Sequence, residues 1–177
     1  TRFVAGNIES PVVYRSVTGD FEAVVQIGSM DNLNFHVVAM LAMDPADPEN
    51  EFLWVGQQNR AGTNDFAQAR SIVDGIRDRE AGEGGVFPYY RLVREDDVFI
   101  GFHSDDGAVW VPFVEFTRPD MPRTIQLGIT QALFSTSIGT ATIDLFEVSS
   151  ECLADLADPV GVLDLADISA FVDGFRD

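Results

Sequence analysis

Nine short runs rich in Val, Ile, Phe and Thr, each closed by an Asp, Gly or Pro turn, fill most of the first 150 residues. They open with "PVVYRSV" and "FEAVVQIGSM", joined by Thr18-Gly19-Asp20, whose composition predicts a hairpin. "NFHVVAMLAM" and "EFLWVGQQNR" follow, around the polar loop "DPADPEN". "YYRLVRE", "VFIGFHS", "VWVPFVEF", "TIQLGITQAL" and "TATIDLFEVS" complete the series. Asp96-Asp97 separates one pair, and Asp105-Asp106-Gly107 separates the next, where glycine readily takes positive φ. Many short strands at even spacing predict an all-β sandwich over residues 1–150.

One stretch breaks the pattern. In "GTNDFAQARSIVDGIRDREAGEGG", residues 62–85, the middle "FAQARSIVDGIRD" is compatible with a helix, a long loop or an irregular edge pair. Such an insertion is either a place for binding specificity or a solvated excursion.

A chain of 177 residues, 46% hydrophobic, suffices for one cored domain and a small appendage. Its 29 acidic residues face 11 basic ones, all Arg, for a net charge of -18. That field repels nucleic acid and anionic membrane and favours cations. No apolar run approaches the ~20 residues that span a bilayer. The single cysteine, Cys152, cannot form an internal disulfide. It is either an idle thiol or the partner of another chain. Opening at Thr1 without a signal pattern, the chain reads as a processed product or a fragment.

"SPVVYRSVTGDFEAVVQI", "YYRLVREDDVFIGFHSDDGAVWVPF" and "IQLGITQAL…TATIDLFEVSS" resemble concanavalin A-like jelly rolls, in the laminin-G-like form found in large secreted bacterial proteins. The matching residues are Gly19 to Ala23, Ser104 to Trp110, and Ala141 to Phe146. The resemblance implies a jelly-roll β-sandwich with a secreted, extracellular or cell-surface location. It also implies a structural cation near a late-strand acid such as Asp144. Trp54, Tyr89, Tyr90 and Trp110 are the candidate carbohydrate-binding rings, each weighed against simply filling the core.

Sugar-cleaving relatives in that superfamily carry an E-x-D-x-x-E strand, and retaining chemistry places its two carboxyl groups about 5–5.5 Å apart. No strand here has that pattern. Glu80 and Glu83 read as part of a Gly-rich loop, Glu115 stands alone, and His36 and His103 read as isolated structural histidines. The chain is therefore expected not to be an enzyme.

The end of the chain has a different character. With Gly161 set at the sixth place of an EF-hand-type loop, the candidate calcium ligands are Asp155, Asp158, the Val162 carbonyl, Asp164 and Asp167. Ala157, Pro159 and one residue of excess length depart from that pattern. Residues 151–177 resemble a single degenerate dockerin repeat of the type common in planctomycete secreted proteins. Leu165, Ile168, Phe171, Val172 and Phe175 then recur at helical spacing as one apolar docking stripe. A helix this short needs a partner surface: a second repeat, a neighbouring subunit or its own sandwich. Docking between units is the leading expectation.

The leading function read from the sequence is a non-catalytic extracellular binding or adhesion module. Its partner would be a polysaccharide or a matrix protein, with a dockerin-like segment at its end. The alternative is a structural subunit that self-assembles into a fibre or sheath through its edges and terminal segment.

Overall fold

The computed structural model describes residues 3–4, 7–8, 10–60, 65–133 and 138–150. In chain order the strands are β1 (Phe3–Val4), β2 (Asn7–Ile8), β3 (Val12–Thr18), β4 (Phe21–Met30), β5 (His36–Met43), β6 (Phe52–Asn59) and β7 (Phe66–Val73). Then come β8 (Ile76–Gly84), β9 (Tyr89–Glu95), β10 (Val98–Ser104), β11 (Val111–Thr117), β12 (Thr124–Leu133) and β13 (Ala141–Ser150). Apart from the short β1–β2 ribbon they form two antiparallel sheets. One has six strands, ordered β3-β12-β5-β6-β7-β8, and the other five, ordered β11-β10-β9-β4-β13. The expected all-β sandwich is thus observed. The calcium-loop residues Asp155 to Asp167, the docking stripe and Cys152 lie outside the described residues.

Each of the nine expected runs is a strand, but one expectation changes and one open question is decided. "PVVYRSV" and "FEAVVQIGSM" do not pair as a hairpin. β3 joins β12 in the six-stranded sheet, while β4 joins β9 and β13 in the other, so Gly19-Asp20 carries the chain between layers. Of the three readings open for the stretch within residues 62–85, the irregular edge pair is the one observed: β7 and β8 form a hairpin at the edge of the six-stranded sheet, with a register shift at Ser71/Ile72, closed between Val73 and Ile76 by Asp74 and Gly75. Both turn residues have positive φ, 50° and 71°. That is the backbone a two-residue hairpin turn needs, and Asp-Gly is among its preferred sequences.

Alternation along the strands builds the core. Val25, Met40, Leu53, Val55, Leu92, Phe99, Ile125 and Leu127 meet between the sheets at 0–1% exposure. Burying each large side chain contributes about 1.5–3 kcal/mol, an upper bound against a compact unfolded chain. β5 and β6 are buried along their whole length, on both faces. Their outward residues join a second cluster of Val37, Ala39, Leu41, Met43, Phe52, Trp54, Ile72 and Ala132. Two-sided burial explains why "HVVAMLAM" is an unbroken apolar run rather than an alternating one.

Candidate functional site

At one end of the sandwich the two sheets part and leave a cleft of about 370 Å³. Ile27, Gly28, Ser29 and Met30 at the end of β4 form one wall, and Gln57 and Asn59 at the end of β6 form another. Asn32, Asp65 and the segment Val86-Phe87-Pro88 complete the lining. Its volume falls within the range of small-molecule sites, and it mixes hydrogen-bonding side chains with apolar ones.

The walls are held by directed bonds. The Ile27 amide donates to the Pro88 carbonyl at 2.8 Å, tying β4 to the 86–88 segment. The Gln57 side chain lies beneath that segment. Its Oε1 accepts from the Phe87 amide at 3.2 Å and from the Tyr90 hydroxyl, and its Nε2 donates to the Gly85 carbonyl at 3.2 Å. A buried amide with these partners cannot rotate without breaking them, so the floor is preorganised. Burial holds the Tyr90 phenol well above its ordinary pKa, keeping it a neutral donor. Asp65 Oδ1 accepts from the Arg60 amide at 2.7 Å, and the Asn59 amide donates to the Asp31 carbonyl at 3.3 Å. At the back, Phe87 stacks on His103, whose Nε2 lies 3.0 Å from Glu83 Oε2 across the two sheets.

The aromatic residues singled out in the sequence are not brought together. Tyr90 is fully buried between the sheets, as the hydrogen-bonded support of Gln57. Trp54 is 1% exposed on the outward face of the six-stranded sheet, with the Arg70 guanidinium 5.6 Å from its ring. Half-buried Trp110 lies on the other layer, where Arg91 spans its ring and that of Phe102 at 4.8 and 4.2 Å. Half-buried Tyr89 packs beside Gly107, in the turn before Trp110.

The acidic and histidine residues also move from their expected places. Glu80 and Glu83 are on strand β8, not in a loop, and make their contacts on opposite faces of it. Glu80 holds Arg70 and Arg77 at 3.1 and 2.6 Å, whereas Glu83 reaches His103. His103 is therefore one member of an inter-sheet pair. His36 Nδ1 donates to the Asp31 carbonyl, 2.9 Å away. Asp144 occupies an irregularity in the β13–β4 register, and a Cβ at Gly28 would collide with its carboxylate. Among the described residues no group of three or more His, Cys, Asp or Glu side chains gathers as a cation site.

The cleft residues Gln57 and Asn59 were not among the sequence candidates. Their signal was present in "VGQQN", where polar amides end an otherwise apolar buried strand. Such groups are kept in an interior only when they are bonded.

No family model and no curated protein sequence matches the chain. Solved structures do. A functionally unknown protein from Saccharomyces cerevisiae matches with a TM-score of 0.65 and 12% identity, over 81% of this chain and 76% of that one. The Bacteroides ovatus xyloglucan PUL GH43B matches at 0.60 and 10% identity, over 73% of this chain and 27% of that one. A xylan β-1,4-xylosidase from Bacillus halodurans C-125 matches at 0.63 and 13% identity, over 80% and 30%. The chain spans under a third of those last two proteins, and what it shares with all three is the fold.

These likenesses correct the expectation that the chain is not an enzyme. The same fold occurs within a protein described as a xylan β-1,4-xylosidase, so a missing E-x-D-x-x-E strand does not mark the fold as non-enzymatic. The lectin-like, adhesion and filament descriptions are corrected with it, since the fold is matched in a xylan β-1,4-xylosidase and in the xyloglucan PUL GH43B.

Proposed function

We propose that this chain is an extracellular glycan-recognition sandwich that holds the end of a saccharide in the cleft between its sheets. The carrying observation is the lining. Ser29, Asn32, Gln57, Asn59 and Asp65 can meet hydroxyl groups, while Ile27, Met30, Phe87 and Pro88 suit the C–H faces of a sugar ring. A pyranose has the same two-sided chemistry, polar at its rim and apolar on its faces. A ring in the wall costs little conformational entropy to present, because the Gln57 bonds already fix the segment that bears it.

Two further observations support this reading. The motifs of residues 8–150 resemble concanavalin A-like domains, and the shared fold occurs in proteins named for xyloglucan and xylan. Xylan- and xyloglucan-derived oligosaccharides are accordingly the first ligands to test. Titration calorimetry of the full chain should detect saturable binding to at least one of them. Asn32→Ala and Asp65→Ala should each weaken it while leaving the melting temperature near that of the parent. Equal affinity in parent and variants would place the ligand elsewhere, and no binding to any oligosaccharide of either series would reject the reading.

A further inference from the structure

We propose that Phe35 forms a second sugar subsite on the rim of the cleft, so that the ligand is an oligosaccharide rather than a single ring. The terminal ring lies in the cleft and the next one along the chain lies against the Phe35 side chain. The inference rests on the glycan-binding reading of that cleft and extends it by one subsite.

Phe35 is held in an unusual backbone. Its φ is 56°, in the left-handed region where a Cβ crowds the following carbonyl. Among the described residues the other non-glycine positions with positive φ are Asp74 and Asp96. Aspartate tolerates that region through its short polar side chain, whereas a bulky aromatic is an outlier there. Asn32 and Asn34 stand beside it in "DNLNF", yet the strained position is taken by the phenylalanine. Burial in the core does not account for the choice, because Phe35 is 39% exposed. Backbone strain at an exposed aromatic points to a side chain presented to a ligand.

The surroundings over-determine this turn. The Asp31 amide donates to the Thr140 carbonyl at 3.0 Å, and Asp31 Oδ2 accepts from the Thr140 amide at 2.8 Å and hydroxyl at 3.0 Å. The Asp31 carbonyl accepts from the Leu33 amide, His36 Nδ1 and Asn59 Nδ2 at 2.8, 2.9 and 3.3 Å. The His36 amide then closes on the Leu33 carbonyl at 3.2 Å. With both flanks of Phe35 fixed, little conformational freedom is left to lose on binding.

Arg60 and Phe66 extend the platform. The Arg60 guanidinium lies 5.5 Å from the ring centroid of Phe35 and 4.5 Å from that of Phe66, within the range of cation–π attraction. One cation thus joins two rings from separate segments. Its Nε also donates to Gln58 Oε1 at 3.3 Å. An aromatic surface with a polar seam suits the C–H face of a pyranose and the hydroxyl groups at its edge.

This surface adjoins the cleft through the chain itself. Phe35 lies three residues after Asn32, Arg60 follows Asn59, and Phe66 follows Asp65, all three of them cleft residues. Strand pairing brings them to one end of the six-stranded sheet, where His36 pairs with Asn59 and Gln58 with Phe66. The bond from the Arg60 amide to Asp65 Oδ1, 2.7 Å, ties the rim to the cleft wall. A saccharide chain that leaves the cleft on this side meets Phe35.

Length dependence is the test. In calorimetry on the full chain with xylan- and xyloglucan-derived oligosaccharides, affinity should rise from the shortest ligand bound to longer ones. Phe35→Gly removes the ring, and glycine takes this φ without strain, so the turn is retained. Phe35→Asn, also tolerated in that region, keeps the question decidable should the glycine variant fail to fold. Both variants should bind the shortest ligand as the parent does and bind the longer ones about tenfold more weakly, the scale of one aromatic contact. Phe35→Tyr keeps a ring and should bind the longer ligands as the parent does. A parent-like gain with length in the ring-less variants would overturn the subsite and leave the cleft reading standing. An equal loss at every length would overturn it too, by showing Phe35 to be a support of the cleft. If the parent binds no oligosaccharide of any length, the cleft reading and the subsite fall together.

Discussion

The imidazole of His103 and the ring of Phe87 lie face to face, with centroids 3.7 Å apart and planes 26° from parallel. This contact links the wall of the cleft to the inter-sheet pair of buried His103 and exposed Glu83. Phe87 is thereby held from behind by stacking and from below by the bond from its amide to Gln57. Phe87→Leu keeps an apolar side chain but removes the flat ring. Affinity for the best xylo- or xyloglucan oligosaccharide is expected to fall about tenfold, or ~1.4 kcal/mol, with the far-UV spectrum unchanged. Calorimetry reads the effect, and a parent-like affinity would remove Phe87 from the site.

Arg118 closes the other end of the sandwich. Its guanidinium bonds Glu51 at 2.7 Å, Asp120 at 2.6 Å, the Ser71 hydroxyl at 2.9 Å and the Phe52 carbonyl at 3.3 Å. Three connections meet there, because Glu51 also accepts from the Asp74 amide in the β7–β8 turn. Arg118→Ala leaves Glu51 without its cation in a largely buried place. The expected loss is about 3 kcal/mol, at the low end for opening a buried ion pair because Asp120 keeps much of its solvent. Urea unfolding checks it; a loss below the ~0.5 kcal/mol usual for surface changes would show that the cluster is not coupled to folding.

The same cluster sets part of the response to acid. Hydrogen bonds from Arg118 hold the Asp120 carboxyl below its usual range. Its stabilising contribution is therefore complete above the unfolded carboxylate pKa, about 4, and is lost as pH falls through the lower folded value. Burial raises Glu51, so its contribution has the opposite sign and is lost as pH rises through its folded value. Exposed Asp31 and Asp106 are lowered by backbone amides of Thr140 and of Val109 and Ala108, in the same sense as Asp120. Unfolding free energies measured between about pH 2 and 5 should fall less steeply for Asp120→Asn than for the parent. Parallel curves would contradict the assignment.

Gly75 tests the hairpin directly. At φ 71° it occupies a region that costs an L-residue roughly 1–2 kcal/mol. Gly75→Ala should therefore lower stability by about that amount. In a helix the same change would raise stability by ~0.8–1.0 kcal/mol. The sign of the shift in melting temperature separates the two structures.

The strands themselves were legible because the period of two in "FEAVVQI" or "YYRLVRE" is a local property of the chain. The β7–β8 edge pair was one of three readings the sequence left open, because Asp74-Gly75 marks a turn while "FAQARSIV" contains good helix formers. In β5 and β6 both faces are buried, so the alternation that would separate inward from outward residues is erased. Trp54 and Tyr90 therefore looked equivalent as sequence, although one faces outward from the six-stranded sheet and the other supports Gln57 between the layers.

By itself, the sequence determined that this chain forms short strands, that these build a sandwich, and that it carries a net charge of -18. Each follows from neighbouring residues or from a sum over the chain. Only the tertiary structure decided that β3 and β4 part into different sheets, that Glu83 meets His103, and that Ser29, Gln57, Asn59 and Asp65 face one cleft. Those residues are distant along the chain, and no local pattern encodes their meeting. It arises from closing both sheets around one core, where the placement of each strand depends on all the others.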